Sequence, residues 1–113
     1  MRVYTCCYEP IAVKLIHSER VNFDMVSVVV PVKNEETGIA KTLDNCLNLP
    51  VNEIIVVLNG CTDNSHEIIK SHPLRKKFEI LQFTQPLGID IPRAVGAAYA
   101  YSRNCSGVLF LDG

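Results

Sequence analysis

The sequence of 113 residues lacks long apolar runs, a strong charge of either sign and any tryptophan. No apolar stretch approaches the roughly 20 residues that a membrane-spanning helix needs, and the first 17 residues lack the order of a signal peptide. A net charge of -1 gives no basic field for a nucleic acid backbone, which clustered lysine and arginine would hold. These absences favour a cytoplasmic protein without a transmembrane segment or a nucleic acid partner.

The five cysteines form an odd set with no Cys-x-x-Cys pair and no zinc-ligand spacing. A disulfide framework is therefore not expected. Cys46 and Cys105 fall on the apolar faces of predicted helices, where a free thiol behaves as a small hydrophobic group. Cys61 lies in a polar turn, and we expect it to be more exposed.

Glycine-rich phosphate loops are also missing, since neither G-x-G-x-x-G nor G-x-x-x-x-G-K-[ST] occurs. This absence argues against a Rossmann oxidoreductase or methyltransferase. The apolar share of 48% and the charged share of 20% are those of an ordinary globular protein, and the length suits one domain.

Four short apolar runs, rich in β-branched residues, alternate with three helical patterns. The predicted strands are residues 26–32, 53–58, 78–83 and 108–111. Asn34 can cap the first helix, Asn64 and Glu67 have the spacing of a capping box before the second, and the third follows Gly88. This alternation predicts an α/β, Rossmann-like three-layer fold with a mainly parallel sheet. Residues 1–25 form an N-terminal extension, in which 3–8 and 11–16 could pair as a hairpin.

In such a sheet, ligands bind at the carboxyl ends of the strands. The candidate site therefore comprises residues 31–36, 59–63, 87–93 and Asp112. Glu35 and Glu36 could bind a ribose or base, although capping of the next helix explains them as well. Arg93 could meet a phosphate at a helix start, or it could pair with Asp90. Asp112 is placed to bind a divalent cation, but one aspartate does not make a metal site.

The remaining polar clusters fit other roles better. The three cations at residues 75–77 are more typical of a solvated loop than of a phosphate site. His17, His66 and His72 lie outside the candidate loops or on helical positions, so they are not expected to act as ligands or bases.

Taken in order, four loop sequences resemble family 2 glycosyltransferases of the A-type fold. The resemblance spans residues 26–113. It rests on Pro-Val-Lys-Asn-Glu at 31–35, Leu-Asn-Gly-Cys-Thr-Asp at 58–63, Arg-Ala-Val-Gly at 93–96 and Phe-Leu-Asp-Gly at 110–113. Each of these sequences is weak alone, but their order and their positions at strand ends are specific.

The resemblance implies a domain that binds a nucleoside-diphosphate sugar and transfers the sugar, with inversion, to an acceptor hydroxyl. It further implies a divalent cation, Mn²⁺ or Mg²⁺, in the complete enzyme. By the same resemblance Pro31 and Glu35 hold the nucleoside, Asn59 the base, Arg93 the phosphate side, and Asp112 the ribose or metal. Asn34 and Asp63 belong to the same nucleotide-binding loops.

Several positions depart from the family pattern. Asn59 stands where the family usually has an aspartate that binds the base, Leu58 replaces the aspartate before it, and Ala94 replaces an asparagine. The sequence also ends at Gly113, one residue before the second aspartate of Asp-x-Asp. We therefore expect a truncated domain that binds nucleotide but is inactive alone. The general base cannot be assigned.

The alternative is a non-catalytic α/β module. Unpaired backbone groups at a sheet edge can pair with a second copy or another chain, so this module would act by assembly, for example as a homo-oligomer.

Overall fold

The computed structural model describes residues 2–5 and 25–111. In these residues, five strands and three α-helices follow one another. They are β1 (Arg2–Thr5), β2 (Val26–Val32), α1 (Ile39–Leu47), β3 (Glu53–Asn59), α2 (Ser65–Lys70), β4 (Phe78–Phe83), α3 (Asp90–Ser102) and β5 (Gly107–Phe110). A 3₁₀ turn at Arg75–Lys77 precedes β4.

The strands form one sheet in the order β1-β5-β2-β3-β4. Strands β2, β3, β4 and β5 are parallel, and β1 is antiparallel to β5. The predicted α/β fold with a mainly parallel sheet is thus confirmed. Because β5 lies between β1 and β2, the two edges of the described sheet are β1 and β4. Assembly through a sheet edge would use one of these, and it stays a prediction.

The valine-rich strand β2 is buried on both faces, as its continuous apolar run predicts. Val28 and Val30 pack with the buried residues of α1 and α2, whereas Val29 packs on the opposite face with Ala100 of α3. Successive residues of a strand point to opposite faces, so one strand supplies both cores. The result is the predicted three layers, with α1 and α2 on one face of the sheet and α3 on the other.

Helix α3 lies very close to the sheet at Gly96. A Cβ atom at this position would come within 2.4 Å of a methyl carbon of Val29 and 3.2 Å of one of Val57. Any larger side chain would push the helix away from β2 and β3. Gly96 therefore sets the distance at which the first turn of α3 stands beside the strand ends.

The predicted cap position is wrong for α1 and right for α2, but neither predicted side-chain capping bond forms. Helix α1 begins at Ile39, four residues later than a cap at Asn34 would allow, and its cap residue Gly38 makes no side-chain bond. Asn64 does precede α2, but its side chain makes no capping bond either, so the capping box does not form. The polar side chains of these loops bond to the backbone of a neighbouring loop instead, as described below.

The three described cysteines are free thiols. Cys46 is buried in the core on α1, and burial raises the pKa of its thiol to about 11. Cys105 is also buried, but it lies beyond the end of α3, in the turn that leads to β5. Cys61 is half-buried, and its thiol donates to the carbonyl of Val32 over 3.3 Å. The apolar role expected for the first two thiols fits this burial.

The N-terminal extension is described only in part. Strand β1 includes residues 3–5 of the first predicted hairpin strand, and it pairs with β5. Residues 6–8 and 11–16 lie outside the described part of the chain, so the hairpin and the boundary at residue 25 stay predictions. No described helix is long and apolar enough to cross a membrane.

Candidate functional site

A cleft of about 300 Å³ opens at the carboxyl ends of β2 and β3, beside the start of α3. Its walls come from three loops that are far apart in the sequence. They are lined by Pro31, Val32, Lys33, Glu35, Asn59, Gly88, Ile89, Pro92 and Arg93. The cleft therefore lies at the sheet edge where ligands of parallel α/β folds bind.

Three charged side chains line this cleft. Arg93 belongs to the first turn of α3, and Lys33 and Glu35 belong to the loop after β2. Glu35 is half-buried, yet neither its carboxylate nor the Lys33 ammonium has a hydrogen-bond or ion-pair partner among residues 2–5 and 25–111. A half-buried carboxylate without a partner in the described part of the chain is available to a ligand.

Asn59 also lines the cleft and is 4% exposed. Its Nδ2 donates to the carbonyl oxygen of Gly88, and its Oδ1 accepts from the N–H of Leu87, both at 2.8 Å. The side chain of Asn59 thus ties the end of β3 to the loop that precedes α3.

The loops after β2 and β3 are joined by a set of hydrogen bonds that we call the latch. The latch residues are Asn34, Glu35 and Glu36 of the first loop and Thr62, Asp63, Asn64 and Ser65 of the second. Asn34 has a positive φ of 53°, and its Oδ1 accepts from the N–H groups of Thr62 at 2.8 Å and Asp63 at 3.2 Å. The backbone N–H of Glu35 donates to the Ser65 hydroxyl at 2.8 Å. The latch therefore holds the backbone that carries the Glu35 side chain.

Glu36 and Asp63 complete the latch reciprocally. The N–H of Glu36 donates to Asp63 Oδ2 at 3.1 Å, and the N–H of Asn64 donates to Glu36 Oε2 at 3.2 Å. Partial burial favours the neutral Asp63 carboxyl, but hydrogen bonds from the Ser65 hydroxyl and from the N–H groups of Ser65 and Glu36 outweigh it. They hold the pKa of Asp63 below its ordinary value.

The structure separates the predicted site residues into two groups. Pro31, Glu35, Asn59 and Arg93 line the cleft, whereas Asn34 and Asp63 belong to the latch. The candidate ranges already contained Lys33, Gly88, Ile89 and Pro92, but the sequence did not single them out. The latch itself was missed, and the signal for it was the excess of polar side chains at 59–65.

The predicted metal ligand, Asp112, lies outside the described residues. Glu35 is the one carboxylate among the residues that line the cleft. Among the described residues no three His, Cys, Asp or Glu side chains come together. This donor set fits an organic phosphate better than a metal ion held by the described residues themselves, and the divalent cation stays a prediction.

A second hollow of about 300 Å³ lies at the amino end of β3 and includes Glu53 and Lys77. The Glu53 carboxylate already accepts from the Ser27 hydroxyl at 3.0 Å and from Arg103 Nε at 2.7 Å. The same Arg103 lies 3.7 Å from Glu79 and over the ring of Tyr99. Since these charges pair with one another, this hollow is a weaker candidate than the cleft.

His72 and the basic turn have structural contacts. His72 Nε2 lies 2.8 Å from Asp44 Oδ1, and its Nδ1 accepts from the N–H of Leu74. Because Nδ1 is the acceptor, Nε2 carries the proton and the ring joins α1 to the turn after α2. Arg75 donates to the carbonyl of Phe78, and Lys76 and Lys77 are exposed.

The family model of glycosyl transferase family 2 matches residues 27–113. A search of curated proteins found no match.

Proposed function

The chain belongs to glycosyl transferase family 2, whose model covers most of its length, and on that premise we propose that the cleft binds a nucleoside-diphosphate sugar. The observation that carries the proposal is the carboxylate of Glu35, which has no partner among the described residues and lies in one cleft with two cations, Lys33 and Arg93, at the strand ends. A nucleoside diphosphate offers the matching groups, since it has hydrogen-bond donors at one end and negative oxygens at the other.

The nucleoside fits the apolar and acidic part of the cleft. A volume of about 300 Å³ is at the lower end of the range for ligand sites and suits one nucleoside. Pro31, Ile89 and Pro92 give apolar walls for a ring, and the Glu35 carboxylate can accept from ribose hydroxyls or a base N–H. Pro31 and Glu35 thus keep the roles that the family resemblance implies.

The diphosphate fits the start of α3. Arg93 lies in the first turn of this helix, where free backbone N–H groups and the helix dipole favour an anion. Lys33, from the loop after β2, lines the same cleft. Charge-assisted hydrogen bonds from these two side chains would be stronger than neutral ones, so they orient the phosphates.

We propose that the reaction inverts the configuration at the anomeric carbon. The acceptor oxygen attacks this carbon, the bond to the diphosphate oxygen breaks, and the acceptor hydroxyl loses its proton. Arg93 and Lys33 stabilise the charge that grows on the leaving diphosphate. A divalent cation near Asp112 would add to this stabilisation when bound. The acceptor and the base that takes its proton are not assigned. The inactivity of these residues alone and the cytoplasmic location stay predictions.

Calorimetry tests the proposal directly. We expect uridine diphosphate or another nucleoside diphosphate to bind at micromolar to millimolar concentration, and we expect Mn²⁺ to strengthen the binding. Glu35→Ala should weaken binding about tenfold or more, because a charge-assisted hydrogen bond contributes about 1.5–3 kcal/mol. His66→Ala, a change on α2 outside the cleft, should leave binding unchanged.

A second matched pair tests the cations. Lys33→Ala should weaken diphosphate binding, whereas Lys41→Ala removes the same charge from the exposed surface of α1 and should have little effect. No binding heat at millimolar nucleotide in a folded sample would refute the proposal. Equal effects of Glu35→Ala and His66→Ala would refute the assignment of the cleft.

A further inference from the structure

The side chain of Asn59 connects two backbone segments by hydrogen bonds. It ends β3, and it is bonded through both polar atoms of its side chain to Leu87 and Gly88. Gly88 and the next residue, Ile89, line the cleft. The side chain of Asn59 therefore acts on the loop of residues 84–89, which forms one wall of the cleft.

We propose that Asn59 is a positioning residue, which fixes this loop as a wall of the cleft and controls nucleotide affinity through the loop instead of through contact with the base. The part of this proposal that concerns affinity rests on the proposed function. The part that concerns the loop can be measured without any nucleotide.

The two partners of Asn59 require an amide. One partner is a donor, the N–H of Leu87, and the other is an acceptor, the carbonyl of Gly88. A carboxamide has a donor and an acceptor at the same distance from the backbone, whereas a carboxylate has acceptors alone. An ionised aspartate at this position would place a buried negative oxygen against the Gly88 carbonyl. The asparagine that departs from the family pattern is thus the residue that this loop position needs.

The loop depends on these bonds because its apolar side chains contribute little burial. Leu87 is 42% exposed and Ile89 is 72% exposed, so neither is anchored in a core. The loop crosses the end of β3 at Gly60, whose φ is +63° and whose added Cβ would lie 2.4 Å from the nitrogen of Pro86. The position of loop 84–89 therefore depends on close backbone contact and hydrogen bonds and not on apolar packing.

A loop positioned in this way should affect the binding affinity of all nucleotides equally. The loop offers the cleft the backbone of Gly88 and the apolar side chain of Ile89, which can contact the face of any base. The amide of Asn59 is 4% exposed and already holds one bond at each polar atom. Its loss should therefore weaken uridine and cytidine diphosphate by the same factor.

The decisive variant is Asn59→Asp, because its carboxyl group can be switched by pH. At pH 8 we expect it to bind both nucleotides at least tenfold more weakly than wild type. At pH 5 we expect this carboxyl to be protonated, since burial and the facing Gly88 carbonyl both raise its pKa, and a neutral carboxyl again has one donor and one acceptor. Its affinity relative to wild type should then recover to within about threefold. Asn59→Ala should be weak at both pH values.

Wild type at each pH is the reference, because it has the same charged groups near the cleft as the variant. The titratable side chains that line the cleft or lie beside it are Lys33 and Glu35 after β2, Cys61 after β3, and Asp90 and Arg93 of α3. The loop 84–89 has none. A tenfold change in the ratio of uridine to cytidine affinity in Asn59→Asp would overturn the proposal, and so would an absence of recovery in the folded variant.

Hydrogen exchange of the free protein separates this proposal from the proposed function. The Leu87 amide should exchange slowly in wild type and at least tenfold faster in Asn59→Ala. Unchanged exchange would overturn the positioning role, whatever the nucleotide does. Faster exchange in a protein whose wild type binds no nucleotide would refute the proposed function while supporting the role of Asn59 in the loop.

A pair of glycine variants tests the loop if the Asn59 variants do not fold. An added Cβ would meet nothing within 4 Å at either Gly88 or Gly38, but Gly88 has a φ of +79°, a conformation that alanine adopts with strain. Gly88→Ala should therefore shift the loop and weaken both nucleotides by the same factor, at least fivefold. Gly38→Ala, before α1, should leave affinity unchanged. Equal affinities in the two variants would overturn the proposal.

Discussion

At the carboxyl end of the sheet, the side chains of Asn34, Glu36 and Asp63 bond to backbone N–H groups of the neighbouring loop. At the amino end, Glu53 and Arg103 bond to each other, and Glu53 also holds the Ser27 hydroxyl. Both ends have many polar side chains, and both have a hollow of about 300 Å³. The difference is in the partners, which are backbone groups at one end and other side chains at the other.

This difference decides which end can bind a ligand. Glu35 and Glu53 are both half-buried glutamates, but Glu53 has two side-chain partners while Glu35 has none among the described residues. The latch uses neighbouring residues to hold the loop, so the carboxylate of Glu35 stays available. A count of polar residues or a cleft volume would not distinguish the two ends, whereas the list of bonded atoms does.

The largest expected effect on stability comes from a substitution at the amino end of the sheet. Glu53→Ala should lower the free energy of unfolding by about 2 kcal/mol, because it leaves the buried Ser27 hydroxyl without its acceptor and removes the partner of Arg103. Nucleotide binding to the folded protein should be unchanged. Glu79→Ala is the control, since this glutamate is 45% exposed and its pair with Arg103 spans 3.7 Å, so its loss should cost under about 0.5 kcal/mol. Urea unfolding of both variants measures the difference, and similar losses would contradict the comparison.

A smaller effect is expected when the latch loses its asparagine. Asn34→Gly introduces a residue that readily adopts the positive φ, but it removes the oxygen that accepts from the N–H groups of Thr62 and Asp63. Because water can reach these exposed N–H groups, the cost should be about 1 kcal/mol. Nucleotide affinity should also fall several-fold, since the latch holds the backbone of Glu35.

The matched control is Asn104→Gly at the amino end. Asn104 has a φ of +64° and ends α3, with Cys105 N–H bonded to Ala100 O and its own N–H to Tyr101 O. Its side chain makes no hydrogen bond within the described part of the chain. Glycine there should change stability by no more than about 0.5 kcal/mol and leave affinity unchanged. Equal destabilisation in the two variants would show that the latch bonds contribute nothing.

The smallest expected effect is a pH dependence of stability that arises from Asp63 of the latch. Since the pKa of Asp63 is lower in the folded protein than its ordinary value of about 3.9, its ionised form stabilises the fold above that pH. This contribution is lost as the pH falls through the lowered value. Asp63→Asn should therefore be less stable than wild type at pH 7, and the gap should shrink below about pH 4. Urea unfolding at several pH values measures the gap, and a gap independent of pH would contradict the assignment.

The strands and the start of α2 were predicted well from the sequence, whereas the start of α1 was not. Strands β2 and β4 have the predicted bounds, β3 extends by one residue to Asn59, and β5 begins and ends one residue earlier than predicted. A run of valine and isoleucine needs burial on both faces, which a parallel strand between helices provides. Cap residues are less certain because Asn34 can accept from any nearby N–H, and the nearest ones belong to the loop after β3.

The sequence predicted the position of the cleft but not the contacts that its side chains make. Glu35 and Asn59 were expected together because parallel strands end at the same edge of a sheet. The family resemblance assigned Asn59 to the base, and this assignment is untested. The structure shows that its side chain is bonded to Leu87 and Gly88, 28 and 29 residues further along the chain. No local pattern shows a bond between loops so far apart, since it depends on the alignment of β3 with β4.

The sequence by itself determined the α/β class, the parallel direction of the core strands and the edge at which the cleft opens, because apolar periodicity and the handedness of βαβ units leave few alternatives. The tertiary structure decided which polar side chains hold loops and which face the cleft. Each loop side chain can bond to its own backbone, to water or to a neighbouring loop. The choice follows from the register of β2 with β3, which brings Asn34 against Thr62 and leaves Glu35 facing the cleft.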